Sequence, residues 1–170
     1  SRRGCCRWRR RRECVQNGFQ LRELLDELVL ELAQLYETLA RRQNLDPSVV
    51  SEIILGCVTQ YGEQAANIAK TSSLLARWPA TVAGMTLNRF CSSSIDAISL
   101  AALKVAAGHS SVVLAGGVEM MSRVPLMADR ARVFADHEYG VSHQVLLMGA
   151  GADLIAERVG ASRADCDAVA

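Results

Sequence analysis

The sequence lacks the cysteine and histidine spacings that mark a metal site or a disulfide framework. Its six cysteines and three histidines are scattered over 170 residues, at Cys5, Cys6, Cys14, Cys57, Cys91, Cys166, His109, His137 and His143. We therefore expect no metal, and we interpret each histidine as an ordinary surface or core residue. Cys57 and Cys91 lie in core-like segments, which suits a reducing compartment, and we predict a cytoplasmic location.

Long apolar runs and a secretion signal are missing as well. No stretch reaches the roughly 18 consecutive apolar residues of a membrane-spanning helix. The basic start is not followed by the apolar core of about 7–15 residues that a secretion signal needs. Hydrophobic residues make up 50% of the chain and charged residues 22%, which is typical of a globular protein. We expect no membrane partner.

Positive charge is scarce outside the first residues. The net charge is +1, yet seven arginines fall within Ser1–Arg12, so the rest of the chain is acidic. A basic stretch of this kind could bind nucleic acid or an anionic membrane. It has no periodicity that would shape a groove-reading element. We therefore interpret residues 1–18 as an atypical basic leader and predict no nucleic-acid partner.

The chain does contain an alternation of helical and strand patterns from residue 19 to residue 118. An amphipathic leucine-rich helix is predicted over Phe19–Gln43. Apolar runs then predict strands, and 3.6-residue periodicity predicts helices. The predicted segments are strands at Ile53–Val58, Val82–Phe90 and Ser111–Ala115, and helices at Gln64–Ala76 and Ser94–Ala107. This order predicts an α/β fold with buried, largely parallel strands and right-handed crossovers.

The pattern loosens over residues 119–170. Met120–Tyr139 has no clear periodicity and is interpreted as an excursion from the sheet. Helical patterns return at Val145–Arg158 and at Ser162–Ala170. The last of these is still helical where the sequence stops, which favours a truncated unit.

Cys91 stands where a strand pattern changes into a helix pattern. After it, apolar residues recur at helical spacing, at Ile95, Ile98, Ala102, Val105 and Ala106. The first amides of a helix have no intrahelical partners and the dipole there is positive, which favours a thiolate. Cys91 is therefore a candidate nucleophile. The alternative at this point is a buried structural cysteine.

Three local runs extend this hypothesis. They are Gly62–Lys70, Asn88–Ser94 with its Asn-Arg-x-Cys-x-Ser pattern, and Ala115–Ser122 with its Gly-Gly-x-Glu-x-Met-Ser pattern. Together they resemble thiolases, which make or cleave 3-ketoacyl-CoA, over about Leu39–Ala170. The third run favours thiolases over related condensing enzymes such as ketoacyl synthases.

The resemblance implies the N-terminal half of a thiolase. Residues 19–118 would be the α/β core, with a layered, mixed but mostly parallel sheet between helices, incomplete here. Residues 119–170 would be the truncated start of an inserted loop domain. The implied activity is acyl transfer between CoA thioesters through a cysteine acyl-enzyme. CoA and acyl-CoA would be substrates, no cofactor is implied, and the subunits would form a homodimer or homotetramer.

The resemblance also implies roles for single residues at the nucleophile. Cys91 would carry the acyl group, and its own N–H would help to bind the oxyanion. Ser92 would contribute to the substrate site, with helix capping by Ser92, Ser93 and Ser94 as the alternative. Met148 would line the acyl pocket, with ordinary core packing as its alternative.

Other residues would support the site. Gly116 and Gly117 would form a turn beside the nucleophile, in backbone conformations that other residues avoid. Glu119 would accept hydrogen bonds from the backbone of that turn rather than act as a general base. Asn88 and Arg89, together with Asn67, would give structural support near the site and the subunit contact.

Several family features are absent from the sequence. Family members are more than twice as long, and their second half supplies a histidine in a Gly-His-Pro setting, an asparagine in an Asn-Glu-x-Phe setting and a second cysteine in a Cys-x-Gly setting. The apolar strand that opens the family is not found in Ser1–Cys14, and Cys166 receives no catalytic role. The competing hypothesis is therefore a catalytically incomplete fragment that acts as a structural or interaction module.

Overall fold

The computed structural model describes residues 27–170. The predicted leader and the start of the predicted Phe19–Gln43 helix lie outside the described residues. In chain order the elements are α1 (Glu27–Gln43), β1 (Glu52–Gly56), α2 (Ile68–Leu75), β2 (Ala83–Leu87), α3 (Ser93–Ala106), β3 (Val113–Gly117), α4 (His137–Ser142), α5 (Met148–Val159) and α6 (Arg163–Val169). Short 3-10 helices lie at Pro47–Val49, Gly62–Gln64 and Arg132–Phe134.

The three described strands form one parallel sheet in the order β2-β1-β3. Glu52 of β1 stands opposite Ala83 of β2 and Val113 of β3. All five residues of the central strand β1 are buried, as its nearly continuous apolar run predicts. The α/β architecture predicted from the sequence is confirmed. Strand β3, predicted to be buried, is only half-buried because it is an outer strand of the described sheet.

The described residues form two compact units that meet in sequence between Asp129 and Arg130. The first unit contains the sheet with α1, α2 and α3, and the second contains α4, α5 and α6. Within the second unit, α6 begins with a capping box between Ser162 and Asp165. No helix within residues 27–170 has the length and apolar character needed to cross a membrane.

The main core of the first unit lies between the sheet and the helices α1 and α2. Leu28, Leu32 and Tyr36 of α1 pack there with Ile53 and Leu55 of β1. The predicted amphipathic face of α1 therefore docks onto the sheet unit. The second predicted helix begins four residues later than expected, because the Asn67 side chain accepts a hydrogen bond from Lys70 N–H and starts α2 at Ile68.

Helix α3 packs on the other face of the sheet through small residues. Ser93, Ala97 and Ala101 are its buried residues, and the two alanines pack with Ile54 of β1. The apolar stripe that predicts this helix from the sequence is exposed instead, with Ile95 at 65% and Ile98 at 55%. The periodicity therefore identifies the helix but not its buried face.

The small face of α3 leads to a prediction about stability. Ala97 is fully buried against the sheet, while Ala102 on the same helix is exposed. We expect Ala97→Leu to lower the free energy of unfolding by about 1–3 kcal/mol, since extra methylenes do not fit a well-packed contact. Ala102→Leu is the matched control and should change it by less than about 0.5 kcal/mol. Urea titration measures both, and equal effects would contradict the assigned packing face.

Candidate active site

Cys91 lies in the loop between β2 and α3, two residues before the helix begins at Ser93. Its side chain is exposed, so the core-like environment suggested by the sequence is wrong, and burial as a structural cysteine is wrong with it. All three strands are parallel, so the turns after β1 and β3 lie at the same edge of the sheet as this loop. Ligand sites of parallel sheets occur at this edge.

The loop makes a tight turn at Phe90, the residue before Cys91. Phe90 has a φ of 49°, in the left-handed region that costs a bulky residue energy. Its N–H donates to Asn88 Oδ1 at 2.8 Å, and its carbonyl accepts from Ser93 Oγ at 2.6 Å. Ser93 Oγ also accepts from Arg89 N–H at 2.8 Å. Side chains on both sides of Phe90 therefore hold the strained turn closed.

The three serines have different positions in this turn. Ser92 occupies the N-cap position of α3, but its side chain makes no capping hydrogen bond, so the predicted capping role does not apply to it. Ser93 is buried and closes the Phe90 turn as described above. Ser92 is exposed beside Cys91, where its predicted contribution to a substrate site stays a prediction.

Two strand-ending glycines allow the first turn of α3 to approach the sheet. A Cβ atom on Gly56 would lie 2.4 Å from the Ser93 carbonyl carbon, and one on Gly117 would lie 1.8 Å from Ser94 Oγ. Gly116 has room for a Cβ, with its nearest neighbour Leu55 Cδ2 at 3.7 Å. Neither Gly116 nor Gly117 has a positive φ, so the expected special backbone conformation is wrong. Gly117 is needed for close approach, since a side chain would overlap Ser94.

Glu119 connects the turn after β3 to the turn after β1. Its carboxylate accepts hydrogen bonds from Val58 N–H at 2.8 Å, from Thr59 N–H at 3.2 Å and from Gln64 Nε2 at 2.9 Å. The backbone it holds belongs to the turn after β1, and not to the Gly116–Gly117 turn as expected.

These hydrogen bonds also set the charge state of Glu119. Burial acts to raise the pKa of Glu119, but the bonds from Gln64, Val58 and Thr59 outweigh it and hold the pKa below its usual range. Ionised Glu119 therefore adds to the free energy of unfolding at pH values above the pKa that this carboxyl group has in the unfolded chain. This stabilisation is lost as the pH falls through the lower pKa of the folded state.

Arg89 and Asn67 contact the edges of the site. Arg89 Nη1 lies 2.9 Å from Asp96 Oδ2, and the Arg89 side chain is 71% exposed, so this ion pair adds at most about 1 kcal/mol. Asn67 Nδ2 donates to the Gly84 carbonyl at 2.6 Å and so ties the start of α2 to β2.

A shallow cavity of about 520 Å³ opens between the end of β2 and α3. Leu87, Leu100 and Leu103 form its apolar part, and Arg89 and Asp96 lie at its polar side. Cys91 is not among the lining residues, so this cavity is separate from the sulfur. Among residues 27–170, no His, Cys, Asp and Glu side chains gather into a group that could hold a metal ion.

The sequence model described as "Thiolase, N-terminal domain" matches residues 16–170. The chain belongs to the thiolase family. A 3-ketoacyl-CoA thiolase of Marinomonas sp. is 38% identical over 143 residues, which are 83% of this chain and 36% of that protein. The 3-oxoadipyl-CoA/3-oxo-5,6-dehydrosuberyl-CoA thiolase of Escherichia coli is 43% identical over 97 residues, 57% of this chain and 24% of that protein.

A crystal structure of the Bacillus anthracis acetyl-CoA acetyltransferase is 44% identical, with a TM-score of 0.49, and covers 55% of this chain and 23% of that one. This thiolase chain spans between 24% and 36% of the length of the two curated relatives.

Met148, predicted to line the acyl pocket of this thiolase chain, is the first residue of α5 in the second unit. Met148 is 79% exposed, so the alternative of ordinary core packing is wrong, and its pocket role stays a prediction. Asn88, Arg89, Gly117 and Glu119 all belong to the first unit with Cys91, at the end of the sheet where the strands' carboxyl ends lie.

Two residues that the sequence does not single out prove to organise the site. Gln64 is fully buried and all its amide groups are used, because Oε1 accepts from Met120 N–H and Nε2 donates to Glu119 and to the Thr59 carbonyl. Gly56 provides the space for Ser93. Gln64 stands in the Gly62–Lys70 run, but only its long-range contacts reveal the role.

Cys57 is buried in the core, whereas Cys91 is exposed. Cys57 is 1% exposed, and its sulfur accepts a hydrogen bond from Gln64 Nε2 at 3.8 Å. Burial, followed by the negative charge of Glu119, raises the pKa of the Cys57 thiol to about 11, although the Gln64 hydrogen bond acts to lower it. Cys57 is therefore an inert core residue.

This contrast predicts the pattern of cysteine alkylation. At pH 8, with a pKa of about 11, only about one Cys57 thiol in a thousand is ionised, so Cys57 should resist iodoacetamide in the folded chain. The exposed Cys91 and Cys166 should react, and Cys57 should join them in urea. Peptide mapping by mass spectrometry measures each site. Equal rates for Cys57 and Cys166 in the folded chain would refute the assigned environment.

The Phe90 turn predicts an unusual effect of glycine. Phe90 is 63% exposed, so Phe90→Gly loses little burial and removes left-handed strain of about 1–2 kcal/mol. After the entropy cost of glycine, we expect a gain of about 0.5 kcal/mol in the free energy of unfolding. Tyr61 is 56% exposed with a φ of −135°, and Tyr61→Gly is the matched control. The control should lose stability, and a loss in both variants would argue against strain at Phe90.

Proposed function

We propose that this chain carries the nucleophile of a thiolase-type acyltransferase, with Cys91 as the residue that is acylated. The single observation that supports this most is the exposed Cys91 sulfur beside the start of α3 in a chain of the thiolase family. A cysteine in this position combines access to a large substrate with the positive end of a helix dipole. Both properties favour nucleophilic attack by a thiol.

The proposed step transfers an acyl group from acyl-CoA to the sulfur of Cys91. The Cys91 thiolate attacks the carbonyl carbon of an acyl-CoA, and the carbonyl electron pair moves onto oxygen. The Cys91 N–H would donate to this oxyanion. When the tetrahedral intermediate collapses, the new S–C bond remains and CoA leaves as the thiolate. Because a thioester is exchanged for a thioester, the step is nearly isoenergetic.

The substrate class follows from the family. The names of the relatives specify CoA thioesters that carry a 3-keto group. We propose two acyl-CoA molecules, one of which acylates Cys91 in the step above, or 3-ketoacyl-CoA with free CoA in the direction of cleavage. CoA would be a substrate and not a resident cofactor. We further propose a homodimer or homotetramer in the cytoplasm, where a reducing environment keeps Cys91 a free thiol.

An interaction module is the second candidate function. Helix α3 exposes Ile95, Ile98 and Leu103, of which Leu103 is 67% exposed. Contiguous apolar residues on one helix face are typical of a surface that binds another polypeptide. In this alternative, the apolar face of α3 binds another polypeptide, and the chain catalyses no reaction of its own.

Acetylation by acetyl-CoA separates the two functions. We expect the full chain, incubated with acetyl-CoA, to gain one acetyl group on the peptide that contains Cys91, as detected by mass spectrometry. Cys91→Ala should abolish this adduct. Cys166→Ser removes another exposed cysteine and should leave it unchanged.

Iodoacetamide provides the control for accessibility. If Cys91 is alkylated readily but never acetylated, the acyltransferase proposal fails and the interaction module is favoured.

A further inference from the structure

A series of hydrogen bonds leads from the buried core to the backbone beside Cys91. It starts at Gln64, whose side chain is fully buried. Gln64 Nε2 donates to Glu119 Oε1 at 2.9 Å, and Gln64 Oε1 accepts from Met120 N–H at 2.6 Å. Gln64 therefore fixes both the carboxylate of Glu119 and the backbone that follows it.

Glu119, held by Gln64, in turn holds the backbone of the turn after β1. Its Oε2 accepts from Val58 N–H at 2.8 Å, and both oxygens lie within 3.3 Å of Thr59 N. Hydrogen bonds to a carboxylate are stronger than those between neutral groups. The Val58–Thr59 backbone is thereby held by a charged group that lies 61 residues away in the sequence.

Asn88 joins that turn to the loop of the nucleophile. Asn88 Nδ2 donates to the Val58 carbonyl at 3.2 Å, while Asn88 Oδ1 accepts from Phe90 N–H at 2.8 Å. One side-chain amide thus uses its donor on the β1 turn and its acceptor on the residue before Cys91. The path from Gln64 to Phe90 is continuous.

The end of this path is the strained residue. A left-handed phenylalanine persists only where its surroundings over-determine it. We propose that Gln64 and Glu119 are positioning residues for Cys91, acting through Val58 and Asn88 to hold the Phe90 turn. This inference rests on the proposed function of Cys91 as the acylated residue. Small errors in the placement of a nucleophile lower the rate of attack without preventing binding.

Asn88→Asp tests the middle of the path in the full chain. It keeps an oxygen acceptor for Phe90 N–H but has no donor for the Val58 carbonyl. We expect about tenfold slower acetylation of Cys91 by acetyl-CoA, with half-saturation unchanged, since positioning affects the attack and not the binding. Alkylation by iodoacetamide, which has no fixed orientation, should change less than about twofold. If acetylation and alkylation slow equally, the added negative charge alone accounts for the effect, and the proposal is overturned.

Glu119→Gln tests the far end of the path. It should raise amide hydrogen exchange in the peptide that contains Phe90, a residue that Glu119 does not contact. The double variant with Asn88→Asp should be no slower in acetylation than the slower single variant, because both changes break one path. Multiplying effects, or unchanged exchange at Phe90 in both single variants, would overturn the proposal.

Thr86→Val is the matched control. Thr86 Oγ1 donates to Gln60 Oε1 at 3.0 Å, so it links the same two chain segments outside the path. The control should leave acetylation and Phe90 exchange unchanged, and equal losses in the control would refute the inference.

If Glu119→Gln fails to fold, the exposed Asn88→Asp variant decides the question alone. A wild-type chain that is never acetylated counts against the proposed function, while the exchange measurements still decide whether the path holds the turn.

Discussion

The structure of the site depends on the close approach of the first turn of α3 to the ends of β1 and β3. Gly56 and Gly117 leave no room for a side chain at these two points, where Ser93 and Ser94 pack. The small face of α3 continues the contact along the sheet with Ala97. Because the helix is pressed against the strand ends, the chain must turn sharply at Phe90, and Cys91 emerges at the surface beside the helix start.

Polar contacts at the same edge of the sheet complement this packing. The turns after parallel strands cannot pair their backbone N–H and C=O groups with each other in a regular ladder. Side chains therefore supply the hydrogen-bond partners of these groups. Glu119 and Asn88 do so for the β1 turn and the Phe90 turn, and the buried Gln64 orients Glu119. Burial, assisted by the negative charge of the same carboxylate, raises the pKa of the neighbouring Cys57 thiol and keeps it protonated. One cysteine is therefore inert and the other accessible, although both follow a strand of the same sheet.

Much of the fold can be predicted from local patterns. The nearly continuous apolar run identifies β1 as a buried strand. Gly108, with a φ of 70°, follows the end of α3, where glycine is a common helix terminator. The position of Cys91 at a strand-to-helix joint is also a local property. Two local arguments were wrong, however. A stripe of large apolar residues normally marks the buried face of a helix, but the stripe of α3 that contains Ile95 is exposed. Gly117 is expected to adopt a backbone conformation that other residues avoid, but its φ is not positive.

The sequence by itself determined the order of strands and helices, membership of the thiolase family and the position of Cys91 before a helix. These features follow from periodicity, turn residues and short motifs, which act over a few residues. Only the tertiary structure decided which face of α3 is buried and which glycine must lack a side chain. It also decided that Gln64, Glu119 and Asn88 form one path. These properties depend on contacts between residues 23 to 61 positions apart, and such contacts exist only after the strands and helices have packed.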